Sequence, residues 1–248
     1  MKINYRDIPR SILHRVLTTF WLRDGRVCTS IWGPFRGLKF HYVHPQMYTR
    51  GMIMLFYAAF EPHVTSFLAR HIHAGATVYI AGGYIGVYAV YVARLMQSQG
   101  RVYVFEGWPE NFALMQKNID LNRRPNVEVI ALPVCIAETS GTGVMVRGRN
   151  DSMNRLTAEA DNPEGAVEVE TVALDDVWKQ TGHDPALILL DIEGRELEAL
   201  KGAQALLAAC RPCLVLEHHG RAAALANWLA TCGYTTEPLG QSHLVAKP

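Results

Sequence analysis

From residue 75 onward, short apolar runs alternate with longer stretches of helical periodicity. The runs fall at residues 78–81, 102–105, 127–130, 187–190 and 214–216, and the helical stretches at 86–98, 109–121, 195–209 and 221–232. A strand that is apolar at consecutive positions has both faces buried, and strand–helix alternation places such strands in a parallel sheet covered by helices on both sides. Two further strand-like runs, 143–146 and 167–169, flank a polar, turn-rich segment at 147–166. That segment is either a lid over a site or a long surface loop, and its length favours the lid. Ahead of residue 75 the pattern differs. Residues 8–22 carry Ile12, Leu13, Val16, Leu17 and Phe20 on one helical face, residues 26–43 alternate and are broken by Gly33, Pro34 and Gly37 as in a hairpin, and residues 51–72 read as a mostly apolar helix. The expectation is an N-terminal elaboration over residues 1–70 (helix, hairpin, helix), packed on an α/β domain at 71–248.

Composition supports this division. The chain has 248 residues, of which 49% are hydrophobic and 19% charged, which fits one large folded domain and argues against disorder. Its net charge of +1 gives no reason to expect nucleic acid. The charge is unevenly placed: residues 1–50 hold nine Lys/Arg against two Asp/Glu, leaving 15 against 21 in the remainder. The basic arm is a candidate for contact with an anionic substrate, a membrane surface or a partner subunit, and equally for a solvated helix face. Five scattered cysteines do not make a disulfide framework, and the lone pair Cys210 and Cys213 lacks the second pair or histidines that a zinc site needs. No metal site is expected, and reduced thiols suit a cytoplasmic protein. No secretory signal is visible, and the longest apolar stretch, residues 51–60, is too short to span a bilayer.

Three apolar runs end in an acid: Phe105 is followed by Glu106, Leu190 by Asp191, and Leu216 by Glu217. In a parallel sheet the carboxyl ends of the strands share one edge, where ligands bind, so the three acids are expected around one crevice. After the first run, residues 81–86 (AGGYIG) open a helix. Glycines there allow a tight turn and close approach to a ligand, and the helix terminus adds free N–H groups. Gly82, Gly83, Tyr84 and Gly86 are therefore candidate cofactor contacts. Glu106 lies 20 residues after Gly86, the offset at which an acid accepts the ribose hydroxyls of an adenosine cofactor. Trp108 is placed to stack on a cofactor base or simply to pack at the start of the helix opened by Pro109. Asp191 and Glu193, two residues apart at a strand end, are candidates to orient a substrate hydroxyl, take its proton or hold a metal ion. The histidine pair His218 and His219 after Glu217 is a further candidate as proton acceptor or metal ligand, with His218 taken for the proton, and equally a loop pair with no role. On spacing alone the loop and Glu106 also fit a nicotinamide-dependent oxidoreductase, although no clear Tyr-x-x-x-Lys pair accompanies them.

Residues 75–212 resemble the FkbM-type methyltransferases, within the class I enzymes that use S-adenosyl-L-methionine. The resemblance rests on GATVYIAGGYIGVYAV, FEGWPENF at 105–112, VETVALDDVW, RPCLVLEHH and, most specifically, DIEGRELEALKGA at 191–203. It implies a seven-stranded, mostly parallel sheet and methyl transfer to an oxygen of a small-molecule, sugar or lipid acceptor. By position, Gly82, Gly83 and Gly86 would line the methionine and ribose end, Glu106 would take the ribose hydroxyls, and Asp191 would face the methyl-transfer crevice. Two departures stand out: the family usually has an acid where this chain has Ile80, and a small polar residue where it has Tyr84. Those departures are the basis for an alternative reading as a non-catalytic binding protein on a methyltransferase scaffold.

Overall fold

The computed structural model describes residues 25–42, 60–148, 154–157 and 165–248. The chain divides into two compact units, Met1–Phe60 and Glu61–Pro248. In the first, the expected hairpin is present: β1 (Val27–Thr29) pairs antiparallel with β2 (Lys39–His41) around a short 3-10 turn at Gly33–Phe35. The helix expected over residues 8–22 lies outside the described residues, as does the first part, 51–59, of that expected over 51–72. Its last part is α1 (Pro62–His71), which falls in the second unit.

The second unit is built on a seven-stranded sheet. In chain order its strands are β3 (Thr77–Ala81), β4 (Gly100–Phe105), β5 (Val127–Leu132), β10 (Leu187–Leu190), β11 (Cys213–Glu217), β12 (Thr235–Leu239) and β13 (His243–Lys247). Their spatial order is β12-β13-β11-β10-β3-β4-β5. The five strands from β11 to β5 are parallel, and β13 runs antiparallel between β11 and β12. Residues 78–81, 102–105 and 187–190 are buried throughout, as continuous apolar runs require. Between the strands run α2 (Val87–Leu95), α3 (Pro109–Leu121), α5 (Glu196–Lys201), α6 (Gln204–Cys210) and α7 (Ala222–Thr231). The first seven residues of α2 are all buried, so this helix is apolar all round rather than amphipathic.

Three features differ from the sequence expectation. The single helix expected over 195–209 is two helices, parted at Gly202 and Ala203, where the Gly202 carbonyl accepts the Asp175 N–H at 2.9 Å and a Cβ on Gly202 would sit 2.5 Å from the Ala137 carbonyl oxygen. Asp175, on α4 (Leu174–Thr181), then caps α6 by accepting the N–H groups of Ala205 and Leu206 at 3.0 and 2.8 Å. The runs at 143–146 and 167–169 are strands, but of a second sheet, ordered β6-β9-β7-β8 from β6 (Val134–Ile136), β7 (Gly141–Val146), β8 (Arg155–Thr157) and β9 (Val167–Val172). The described part of the expected lid is therefore β8, paired antiparallel with β7. The pair β12–β13 had no counterpart in the expected elements: β12 is a half-exposed edge strand containing Pro238, a residue that sheets confine to their edges. Among the described residues, no helix is long and apolar enough to cross a membrane.

Candidate functional site

The sheet winds outward from β3 in both directions, to β4 and β5 on one side and to β10 and β11 on the other. The crevice of such a sheet opens where the order reverses, at the carboxyl ends of β3 and β10. The loop after β3 holds Gly82 at φ +85° and Gly86 at φ +86°. Gly82 is where the two strand ends touch: a Cβ on it would lie 1.7 Å from the Asp191 carbonyl oxygen. Gly83 is packed equally closely, with the Met115 Sδ 2.5 Å from where its Cβ would be. Tyr84 stands between them at φ +46°, a left-handed conformation that costs a bulky residue energy.

Glu106, at the end of β4, fastens this loop. Its Oε2 accepts the Tyr84 N–H at 2.7 Å and its Oε1 accepts the Trp108 N–H at 2.8 Å. Only 7% of the residue is exposed. Burial pushes its carboxyl up to about 7, against the lowering effect of those two N–H groups and of the Asn111 side chain. A carboxylate offers about four acceptor positions, so three donors leave room for a ligand hydroxyl. Trp108 is 1% exposed and packs with Met145 and Val169, with the Arg147 guanidinium 5.2 Å from its ring centroid. Its ring is thus committed to the protein interior, which favours the packing role over base stacking.

On the other side of β3 the crevice is rich in carboxylates. The Asp191 carboxyl is held well above the usual range by burial and by Glu217, with Glu61 and Glu193 adding to the effect. Glu61, just ahead of α1, accepts a hydrogen bond from the Tyr88 hydroxyl on α2. His219 sits among the acids, with Nδ1 3.2 Å from Glu196 Oε1 and Nε2 3.5 Å from Glu193 Oε2 and 3.6 Å from Glu217 Oε2. Glu193 and Glu196 push its imidazole up to about 11, so it is a cation at neutral pH. The Glu196 Oε1 also accepts the N–H groups of Ile192 and Gly194, each at 3.1 Å, and thereby shapes the turn after β10.

The structure thus brings Asp191 and Glu193 together but not His218. The Nδ1 of His218 accepts the Gly220 N–H at 3.1 Å and its Nε2 is 3.0 Å from the Gln241 carbonyl, so both nitrogens serve the backbone. Its neighbour His219 does lie in the crevice, as does the buried His243, whose Nε2 is 3.7 Å from Glu61 Oε2. Sequence reasoning also passed over Tyr88, Glu196 and Glu61. Glu217 was visible as a strand-end acid and Glu196 lies inside the 191–203 motif, whereas nothing local marks Glu61. Backbone strain does mark the site: among the described residues, four of the six non-glycine residues with positive φ, Glu61, Tyr84, Glu193 and His219, lie in this group of loops. A hollow of about 500 Å³ lined by Val90, Gln116, Arg123 and Glu128 holds none of these groups.

A family model described as the methyltransferase FkbM domain matches residues 75–236. Among solved structures, the chain is similar to the methyltransferase FkbM of Methylobacillus flagellatus, with 17% identity and a TM-score of 0.50. That match covers 71% of this chain and 44% of the other, so the chain spans less than half that protein's length. Precorrin-6y C5,15-methyltransferase from Geobacter metallireducens matches at 16% identity and TM-score 0.45, over 75% of this chain and 88% of that one. An rRNA methylase from Streptococcus thermophilus matches at 13% identity and TM-score 0.44, over 74% and 91%. No curated protein sequence matches the chain significantly.

Proposed function

Since this chain belongs to the FkbM methyltransferase family and has the class I methyltransferase fold, we propose that it transfers the methyl group of S-adenosyl-L-methionine to a hydroxyl oxygen of a small-molecule, sugar or lipid acceptor. The observation that carries this reading is the meeting of the glycine loop, Glu106 and Asp191 at the point where the strand order reverses. The residues suit the cofactor. Glu106 keeps acceptor capacity for ribose hydroxyls, and the loop it fastens has no side chain at residues 82, 83 and 86 to obstruct approach. The acid usual in the family is replaced by Ile80, which is buried in the sheet. Negative charge for the ammonium and sulfonium end then comes from Glu61, held by Tyr88, and from Asp191, whose backbone abuts Gly82.

When bound, S-adenosyl-L-methionine supplies an electrophilic methyl group on a positively charged sulfur. The chain's own part is to hold the acceptor hydroxyl in line, exclude water and accept the hydroxyl proton. Asp191 and Glu193 are positioned for that work, and Glu217 joins them. Carboxylates at 61, 193, 196 and 217 repel a phosphate backbone, which favours a small acceptor over a nucleic acid. Calorimetric titration with S-adenosylhomocysteine and, in parallel, NADH tests the reading. The expected result is binding of the first alone, lost in Glu106→Ala. Binding of NADH alone would make the protein an oxidoreductase, and binding of neither would leave a scaffold without cofactor chemistry.

A further inference from the structure

Glu193, Glu196 and Glu217 all direct ion-pair contacts to one imidazole, that of His219. The neighbouring guanidinium groups are turned elsewhere: Arg195 pairs with Glu198, and Arg221 reaches Glu198 and the Gly194 carbonyl. Among the described residues, Asp191, Glu217 and His219 each offer a ligand atom, and the three atoms lie within 4.8 Å of one another. The 3.6 Å between His219 Nε2 and Glu217 Oε2, and the 3.5 Å to Glu193 Oε2, are close to the edge of a tetrahedron with bonds of about 2.1 Å, which is about 3.4 Å. Behind the ring stands Glu196, 1% exposed and 3.2 Å from Nδ1, fixed by two backbone N–H groups. A carboxylate behind a histidine is the arrangement that orients a metal-binding imidazole; here the approach is an ion-pair contact, and the buried Nδ1 has no hydrogen-bond partner. The other Glu196 oxygen, Oε2, is buried with no hydrogen-bond partner. A buried carboxylate oxygen in that state calls for a donor.

We propose that Asp191, Glu217 and His219 bind one divalent transition-metal cation, with Glu193 at its rim and Glu196 orienting the imidazole. An imidazole nitrogen among the ligands suits a transition-metal ion better than Mg2+, which favours oxygen alone, and Mn2+ serves as the spectroscopic probe. The ligand nitrogen must be free of its proton for the cation to bind, so binding releases a proton. The site adjoins the Gly82 loop through the Asp191 backbone, at the crevice where the acceptor hydroxyl is to be held.

The test is direct titration of the full chain, freed of metal by a chelator, with Mn2+ at pH 8, following the electron paramagnetic resonance signal of the free ion. One equivalent should bind, and His219→Ala and Glu217→Gln should each weaken binding at least about tenfold. Mn2+ should also raise the unfolding midpoint of the wild type and not of the variants. Should His219→Ala fail to fold, Glu217→Gln and Asp191→Asn answer the same question. The proposal is overturned by absence of saturable binding in the wild type, by unchanged affinity in the variants, or by equal affinity for Mg2+. S-adenosylhomocysteine binding, measured on the same metal-free sample, separates failure of this site from failure of the cofactor reading.

Discussion

Glu106 and Asp191 occupy matching places, each following the last residue of a strand beside β3, and each carboxyl is pushed above its ordinary range. The causes differ. Glu106 is raised by burial and relieved by hydrogen-bond donors from its surroundings. Asp191 is raised by burial and then further by Glu217, Glu61 and Glu193. Equivalent sheet positions therefore produce a fixed acceptor on one side and a like-charged group on the other. A ligand hydroxyl suits the first, and a cation or a proton suits the second.

The largest expected effect comes from the point that joins the two halves. Gly82→Ala forces a Cβ against the Asp191 carbonyl at a φ of +85°. Backbone on both sides leaves no flexible side chain to give way, so the variant should lose about 3 kcal/mol of stability or more and all binding of S-adenosylhomocysteine. Denaturant unfolding measures this, and a well-folded variant with wild-type affinity would show that the halves are not coupled there.

Next, neutral isosteres should separate the two acids by sign. Glu106→Gln turns an amide NH2 toward one of two N–H donors, costing about 1–3 kcal/mol and weakening S-adenosylhomocysteine binding. Asp191→Asn puts a permanently neutral side chain where burial and the neighbouring acids oppose a charge, so its unfolding midpoint should rise relative to wild type as the pH is raised. Shifts in the same direction for both would end the comparison.

The pH dependence of Glu106 sharpens it further. Its folded value of about 7 exceeds the ordinary 4.5, so the folded state binds the proton more tightly than the unfolded state. The stabilisation this gives is present below about 4.5 and is lost as pH rises through 7, amounting to about 3 kcal/mol over that window. The difference in stability between wild type and Glu106→Gln should trace that loss. Ribose hydroxyls donate to the ionised form, so S-adenosylhomocysteine should bind more tightly at pH 8 than at pH 6, with proton release. A flat difference across the window would remove Glu106 as the ribose acceptor.

Much of this was readable from the chain, for definable reasons. Continuous apolar runs reported β3, β4, β10 and β11 because a strand buried on both faces has no polar positions to blur it, whereas β5, with Glu128 exposed, was read from its alternation with the helices. The acids at 106, 191 and 217 were readable because they interrupt those runs. β12 was hidden because a half-exposed edge strand with Pro238 has no strand signature, and the break at Gly202 was hidden because the groups that meet it there, the Asp175 N–H and the backbone of Ala137, are distant in the sequence. Choosing between His218 and His219 depended on the turn at the end of β11, where His219 takes φ +46° and its ring joins Glu193 and Glu196. Adjacent residues of one type differ only in where the backbone sends them, and no pattern of polarity records that.

Tyr84 gives the smallest expected effect and the finest test. Its backbone N–H belongs to the Glu106 side of the crevice through a 2.7 Å bond, while its φ of +46° is strained for an aromatic residue. Asparagine tolerates that conformation far better and keeps the N–H. Tyr84→Asn should therefore gain about 0.5–1 kcal/mol from relieved backbone strain. If the ring serves only to fill space, S-adenosylhomocysteine affinity will be unchanged in the more stable protein. If the strain is kept because the ring meets the cofactor, stability will rise while affinity falls. A variant that is less stable and equally tight would mean that the side chain, not the backbone, holds the loop, and Glu106 would then be a consequence of the loop's shape rather than its cause.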